Sequence, residues 1–281
     1  GFLSNAYSVL PFSLLLRMHN KTLFMPVYHA VSNKRLPHLV NVFPYRTEKQ
    51  FEVDLEFFLE HFAPISLEDL MEQLHGNKVI PQRSFLLSFD DGYKEIFEIV
   101  APILRRRSIP AVIFLNSSFV DNKDMFFRNK ASLIIEELNK LKDSAVIEQF
   151  STIVHPLEPT ARNIISVISG IKYHNRNILD QTAEILGVDF KKYLISERPY
   201  LTSREINELI NQGFTIGSHS VDHPFFQELS LKEQLDQVIM SISELKNKYS
   251  LPYNAFAFPF IDDGISKSFF EQTHNDSILD I

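Results

Sequence analysis

The feature that most constrains this chain is an alternation. Short apolar runs recur along it, and helical patterns separate them. The runs are "TLFMPVYHAV" at 22–31, "SFLLSF" at 84–89, "AVIFLN" at 111–116, "FTIGSH" at 214–219 and "NAFAFPF" at 254–260. Each reads as a buried strand, the first made irregular by Pro26. Four helix starts carry a capping box: Thr47 with Gln50, Ser66 with Asp69, Thr202 with Glu205, and Ser230 with Glu233. Apolar residues then repeat on one helix face, as in Phe51, Leu55, Phe58, Leu59 and Phe62. A further helical pattern, Ile96 to Leu104, should kink at Pro102. Strands alternating with helices predict a parallel α/β architecture built from βαβ units. In such folds functional groups collect where strands end. Here the run ends are His29, Asp90-Asp91, Asn116, His219 and Pro259-Phe260.

Residues 120–200 break this rhythm. They are polar, helical in pattern and lack a convincing strand, so they are expected to form an insertion in one domain spanning 1–281, with 22–119 and 200–270 as its core. Residues 6–16, "AYSVLPFSLLL", are too short to span a bilayer and have neither the basic flank nor the cleavage site of a signal peptide. They are read as a helix packed on the domain, with a membrane-surface helix as the alternative. The expected location is cytoplasmic or membrane-associated in a bacterium. A net charge of −7 and only one basic cluster, Arg105-Arg106-Arg107, argue against a nucleic-acid partner. With no cysteine, the chain has no disulfides, thiolate metal sites or Cys nucleophiles.

Asp90 and Asp91 place two like charges side by side at the end of a core strand, and they need a counter-charge. "GSHSVDHP" at 217–224 offers it indirectly, because His219 and His223 are four residues apart and can face one side. Two imidazoles and one carboxylate make a site for a divalent metal with positions open for water and substrate. Asp91 is taken as the ligand; Asp90 is then free to accept a proton from the attacking water. Asp-Asp-Gly alone is a common turn, and His pairs at this spacing occur on many surfaces. Both motifs following apolar strands is the specific signal.

Ser88-Phe89-Asp90-Asp91-Gly92 together with His219-Ser220-Val221-Asp222-His223 resembles the polysaccharide deacetylase family, carbohydrate esterase family four, also called the chitooligosaccharide deacetylase homology domain. The resemblance implies an irregular (β/α) barrel and removal of N- or O-acetyl groups from a polysaccharide. It implies Asp90 as base and Asp91, His219 and His223 as ligands of a divalent metal, zinc first, with cobalt, nickel or iron as alternatives. "MPVYHAV" is similar to the start of the circularly permuted branch, which nominates His29 as the general acid, with His38 in reserve as a surface-loop residue. Tyr93, Pro259 and Phe260 are the expected substrate or oxyanion contacts, a loop N–H near Phe260 among them. Phe114, Phe119, Phe126 and Phe127 could stack on sugar or fill the core, and 121–130 could wall the cleft.

Three departures stand out. Phe258-Pro259-Phe260 occupies the place where the family carries an Arg that steadies the base. The late Leu-x-Leu-His strand is absent, and the chain stops at Ile281, so the C-terminal part of the barrel is expected to lie outside it. The 120–200 segment is longer than in compact members. The partner is therefore expected to be an acetylated glycan. The competing readings are an impaired carbohydrate-binding relative, or a metal-dependent amide or ester hydrolase acting on something other than a glycan.

Overall fold

The computed structural model describes residues 23–140 and 164–281. The segment at 6–16 lies outside them. The strands are short and all their pairings are parallel. The first apolar run splits into β1 (Leu23–Phe24) and β2 (Val27–Tyr28), with Met25-Pro26 between. Helix α1 (Glu48–His61), β3 (Ala63–Pro64) and α2 (Leu67–Leu74) follow. The second run splits at Leu86 into β4 (Ser84–Phe85) and β5 (Leu87–Phe89). β4 carries β1 and β3 in one sheet; β5 passes to a second sheet of order β2-β5-β6-β7, where β6 is Ala111–Leu115 and β7 is Thr215–Ser218. Proline explains the first break, since Pro26 has no N–H to donate. The ladder nonetheless runs on, because Phe24, Pro26 and Tyr28 carbonyls accept from Leu86, Ser88 and Asp90.

All four predicted capping boxes form. They open α1, α2, α8 (Ser203–Asn211) and α9 (Leu231–Tyr249). Between β6 and α8 come α4 (Phe127–Leu138), α5 (Ile164–Gly170), α6 (Asn177–Leu186) and α7 (Phe190–Glu197); α10 (Lys267–Asn275) closes the order. The central core joins Phe51, Leu55, Phe85, Leu87 and Phe89 to Ile113, Leu115 and Ile216. A second core unites α4–α7 with Leu36, Leu39, Tyr93 and Tyr200.

Four expectations change. Residues 96–104 are helical, and the irregularity falls just before Pro102 and not at it: a π-turn at Ile96–Val100 leads directly into α3 (Ala101–Arg106), with Pro102 in its first turn. Residues 254–260 form only a single bridge, Ser218 to Phe256, in which the Ser218 N–H donates to the Ala255 carbonyl and the Ala257 N–H to the Ser218 carbonyl. The two-residue β3 has no run of its own in the sequence. His38 is not a surface residue: it is 2% exposed, and its Nδ1 meets the Tyr193 hydroxyl at 2.9 Å.

Candidate metal centre and active site

Each group at the site is delivered by a strand end. The Asp90 N–H donates to the Tyr28 carbonyl at 2.9 Å, and the His219 N–H to the Leu115 carbonyl at 2.8 Å. The turn after β5 needs left-handed backbone, with Asp91 at φ 70° and Gly92 at φ 70°. A Cβ on Gly92 would come within 2.6 Å of Leu115 Cδ2, so the turn packs against β6 at a distance only glycine permits. Asp91, Ser220, His223 and Phe260 all hold positive φ without being glycine. Such strain persists only where surrounding structure fixes it, and it gathers at functional sites.

The expected ligands come together. One oxygen or nitrogen of Asp91, His219 and His223 lies within 4.8 Å of the others, and all three residues are buried. His223 Nε2 is 3.2 Å and His219 Nε2 is 3.7 Å from Asp91 Oδ1. Two ligands each about 2 Å from a tetrahedral ion stand roughly 3.3 Å apart, so the spacing suits one cation. The His219 Nδ1–H donates to the Ala257 carbonyl at 2.9 Å, which leaves the Nε2 lone pair facing Asp91. Among the described residues, both Asp91 oxygens are buried without a hydrogen-bond partner, as is Asp90 Oδ1. Orphaned buried carboxylate oxygens are costly, and a cation would satisfy them. The donor set therefore fits a divalent metal.

Electrostatics separates the two carboxylates. Burial, then the neighbouring Asp91 charge, pushes the Asp90 carboxyl well above its usual range. Burial would raise Asp91 too, but His223, His29 and His219 hold its carboxyl well below the usual range. Burial and His223 lower His219 to about 3, so its ring is neutral, as ligation requires. His29 lies near enough to feel both Asp91 and His223; burial lowers its basicity and the Asp91 charge opposes that.

The third-motif loop supplies no Arg, and Asp90 has no Arg or Lys ion-pair partner among the described residues. Phe260 is 43% exposed at a tight three-residue turn, in which the Ile261 N–H donates to the Pro259 carbonyl at 2.9 Å. Its ring lies edge-on to His223 (4.6 Å between centroids) and stacks on Phe225 at 3.6 Å. Phe126 packs on the same imidazole at 4.1 Å, so 121–130 does border the site. Tyr93 is a correction: it is 0% exposed, stacked on Tyr200 and bonded to Asn129, and offers no face to a sugar. Phe114, Phe119, Phe126 and Phe127 are likewise core residues. Among the described residues Arg128 pairs with no carboxylate; it donates to the Ser169 carbonyl and lies over the Phe127 and Phe225 rings. Two residues that the sequence placed at the motif and strand ends without a role bind the ligand loop: Asn116 Nδ2 donates to the His219 carbonyl and to Ser220 Oγ, and Asp222 accepts bonds from Tyr173 and Gln237.

Among known proteins, the chain is 28% identical over 150 residues to the Staphylococcus aureus (strain MSSA476) poly-beta-1,6-N-acetyl-D-glucosamine N-deacetylase, which is 52% of this chain and 50% of that protein. It is 37% identical over 60 residues to the Escherichia coli (strain K12) protein of the same name, 21% of this chain and 9% of that protein. The chain thus spans half or less of the length of these curated relatives. Its fold is similar to Streptococcus pyogenes deacetylase PplD in complex with acetate, at TM-score 0.57 and 14% identity over 94% of this chain and 83% of that one. It is also similar to IcaB from Ammonifex degensii, at TM-score 0.55 and 14% identity over 90% and 80%. At such identity these structures show the barrel-like α/β fold alone. The polysaccharide deacetylase family profile matches residues 77–271, more than half of the chain and both motif loops, and the chain belongs to that family.

Proposed function

We propose that this chain is a metal-dependent hydrolase that removes N-acetyl groups from a polysaccharide of the poly-N-acetylglucosamine type. One observation supports it above the others: three buried ligand groups face each other with unsatisfied oxygens, and a second carboxylate stands beside them. Asp91, His219 and His223 would hold the cation, zinc by the donor set, with cobalt, nickel or iron as alternatives. When bound, it supplies Lewis-acid polarisation of the acetyl carbonyl and acidifies a water. Asp90 would take a proton from the attacking water as its oxygen bonds to the acetyl carbon. Burial makes Asp90 a stronger base than an exposed carboxylate. His29 gives a proton to the departing nitrogen, so acetate and a free amine result. Pro259 and Phe260 shape the substrate side, and a backbone N–H of that loop faces the developing oxyanion. The family match runs across 120–200, which supports one domain with a helical insertion.

The test measures acetate release from β-1,6-linked N-acetylglucosamine oligomers, with and without a chelator, alongside metal content. Chelation should abolish release and added Zn²⁺ or Co²⁺ should restore it. Metal-free protein with full activity would sink the reading. His29→Gln should slow amide hydrolysis far more than hydrolysis of an activated ester, whose leaving group needs no proton; equal losses would remove His29 as the acid. The missing base-steadying Arg favours one second reading, an impaired glycan binder. It would bind the oligomers and bind metal but release no acetate.

A further inference from the structure

The two histidines at the centre are aimed by different means. The His219 ring is fixed directly, by the Ala257 carbonyl on Nδ1. The His223 ring has no such partner among the described residues, for its buried Nδ1 meets no acceptor or donor there. Its direction then comes from packing between Phe126 and Phe260, at 4.1 and 4.6 Å between centroids, and from its own backbone, which sits at φ 62°. That conformation is not held by the strand side alone. The Ser117 and Ser118 N–H groups hold the Ser220 and Val221 carbonyls, at 3.2 and 3.1 Å, but these contacts stop at Val221. Beyond Val221, the Asp222 N–H donates to Gln237 Oε1 at 3.4 Å and the His223 N–H to Ser220 Oγ at 3.0 Å.

Asp222 lies directly before His223, and its carboxylate turns away from the ligands. The Tyr173 hydroxyl donates to it at 2.7 Å, Gln237 Nε2 at 2.8 Å, and Arg176 Nη2 stands at 3.4 Å. Arg176 lies over the Tyr173 ring, its guanidinium carbon 3.9 Å from the centroid, so the two act as one block. Gln237 also accepts the Val221 N–H at 2.9 Å. Tyr173 and Arg176 belong to the helical 120–200 segment, about fifty residues before Asp222 in the chain, and Gln237 belongs to α9.

We propose that Asp222 is a positioning residue through which Tyr173 and Arg176 of the helical segment set the direction of the His223 ring. This rests on the reading of His223 as a metal ligand. The segment is then part of the metal centre's support and not only a wall of the cleft. Removing such supporting contacts characteristically weakens metal binding by about ten- to a hundredfold.

The experiment measures Zn²⁺ affinity of the full chain by competition with a chromophoric chelator, and the visible absorption of the Co²⁺ form. Asp222→Asn should weaken Zn²⁺ binding by about tenfold or more and alter the Co²⁺ bands, with the far-ultraviolet spectrum of the metal-free protein unchanged. Tyr173→Phe should do the same to a smaller extent. The double variant should be no weaker than Asp222→Asn, because both act through one link. If both single variants bind Zn²⁺ within twofold of the unsubstituted chain and keep its Co²⁺ spectrum, the proposal is overturned. Should Asp222→Asn fail to fold, Tyr173→Phe decides by the same criteria. His223→Ala separates the two readings: if it keeps full Zn²⁺ affinity, the metal assignment of His223 fails, whatever Asp222 does.

Discussion

The site has a half built by backbone and a half built by side chains. Asp90, Asp91 and His219 leave parallel strands whose register is set by main-chain bonds such as Asp90 N–H to Tyr28 and His219 N–H to Leu115. His223 and Phe260 sit on loops in left-handed conformations, wedged by Phe126, Phe225 and the bonds at Asp222. The first half depends on few side chains beyond those that do chemistry. The second depends on residues scattered through the chain. Damage to the first should therefore show as lost chemistry, and damage to the second as shifted affinity.

The largest effect should come from His219→Ala. It removes a proposed ligand whose ring is locked by the Ala257 carbonyl, and stoichiometric metal binding and acetate release should both vanish. Metal content measured after dialysis checks this, and unchanged occupancy would remove His219 from the ligand set. Next is Asp90→Asn, expected to keep the metal while the rate falls by about 10² to 10⁴. Full retained activity would show that another group accepts the proton. A smaller effect concerns stability. Glu95 is buried at the start of the π-turn, and burial raises its carboxyl from 4.5 to about 7. The folded state thus holds a proton that the unfolded chain gives up between those values. Stability is full below about pH 4.5 and declines as pH rises to 7, by an amount on the order of 1–3 kcal/mol. Glu95→Gln should flatten the decline in Tm across that window; parallel curves would contradict the sign. The smallest effect belongs to the loop half. Phe260→Ala should raise KM for the oligomer by roughly three- to tenfold with kcat nearly unchanged, the signature of lost ring contact. A fall in kcat alone would place Phe260 in the first half of the comparison instead.

What was legible in the sequence follows the same division. Capping boxes are local, and all four predicted from side chains three residues apart are present. Strand ends were legible because an apolar run stops where polar groups begin, and both motif loops stand there. Other features depended on the folded whole. β3 has two residues and owes its pairing to β4, not to any apolar period of its own. Tyr93 follows the Asp-Asp-Gly turn and so looked accessible, yet the helical segment covers it through Tyr200 and Asn129. His38, in a loop by its sequence, is buried by Tyr193 of α7. The bond between Tyr173 and Asp222 leaves no mark on periodicity or spacing, because it joins segments that meet only in three dimensions.

Ala257 gives His219 a carbonyl, which every amino acid carries. No exchange of side chain at that position can delete the contact. The stretch from Phe258 onward is thereby released to vary in bulk and polarity, which under the proposed function would trade one sugar preference for another, while the imidazole behind it keeps its proton on the same nitrogen. Retuning what enters the groove and preserving the reactive centre are in this loop separate problems.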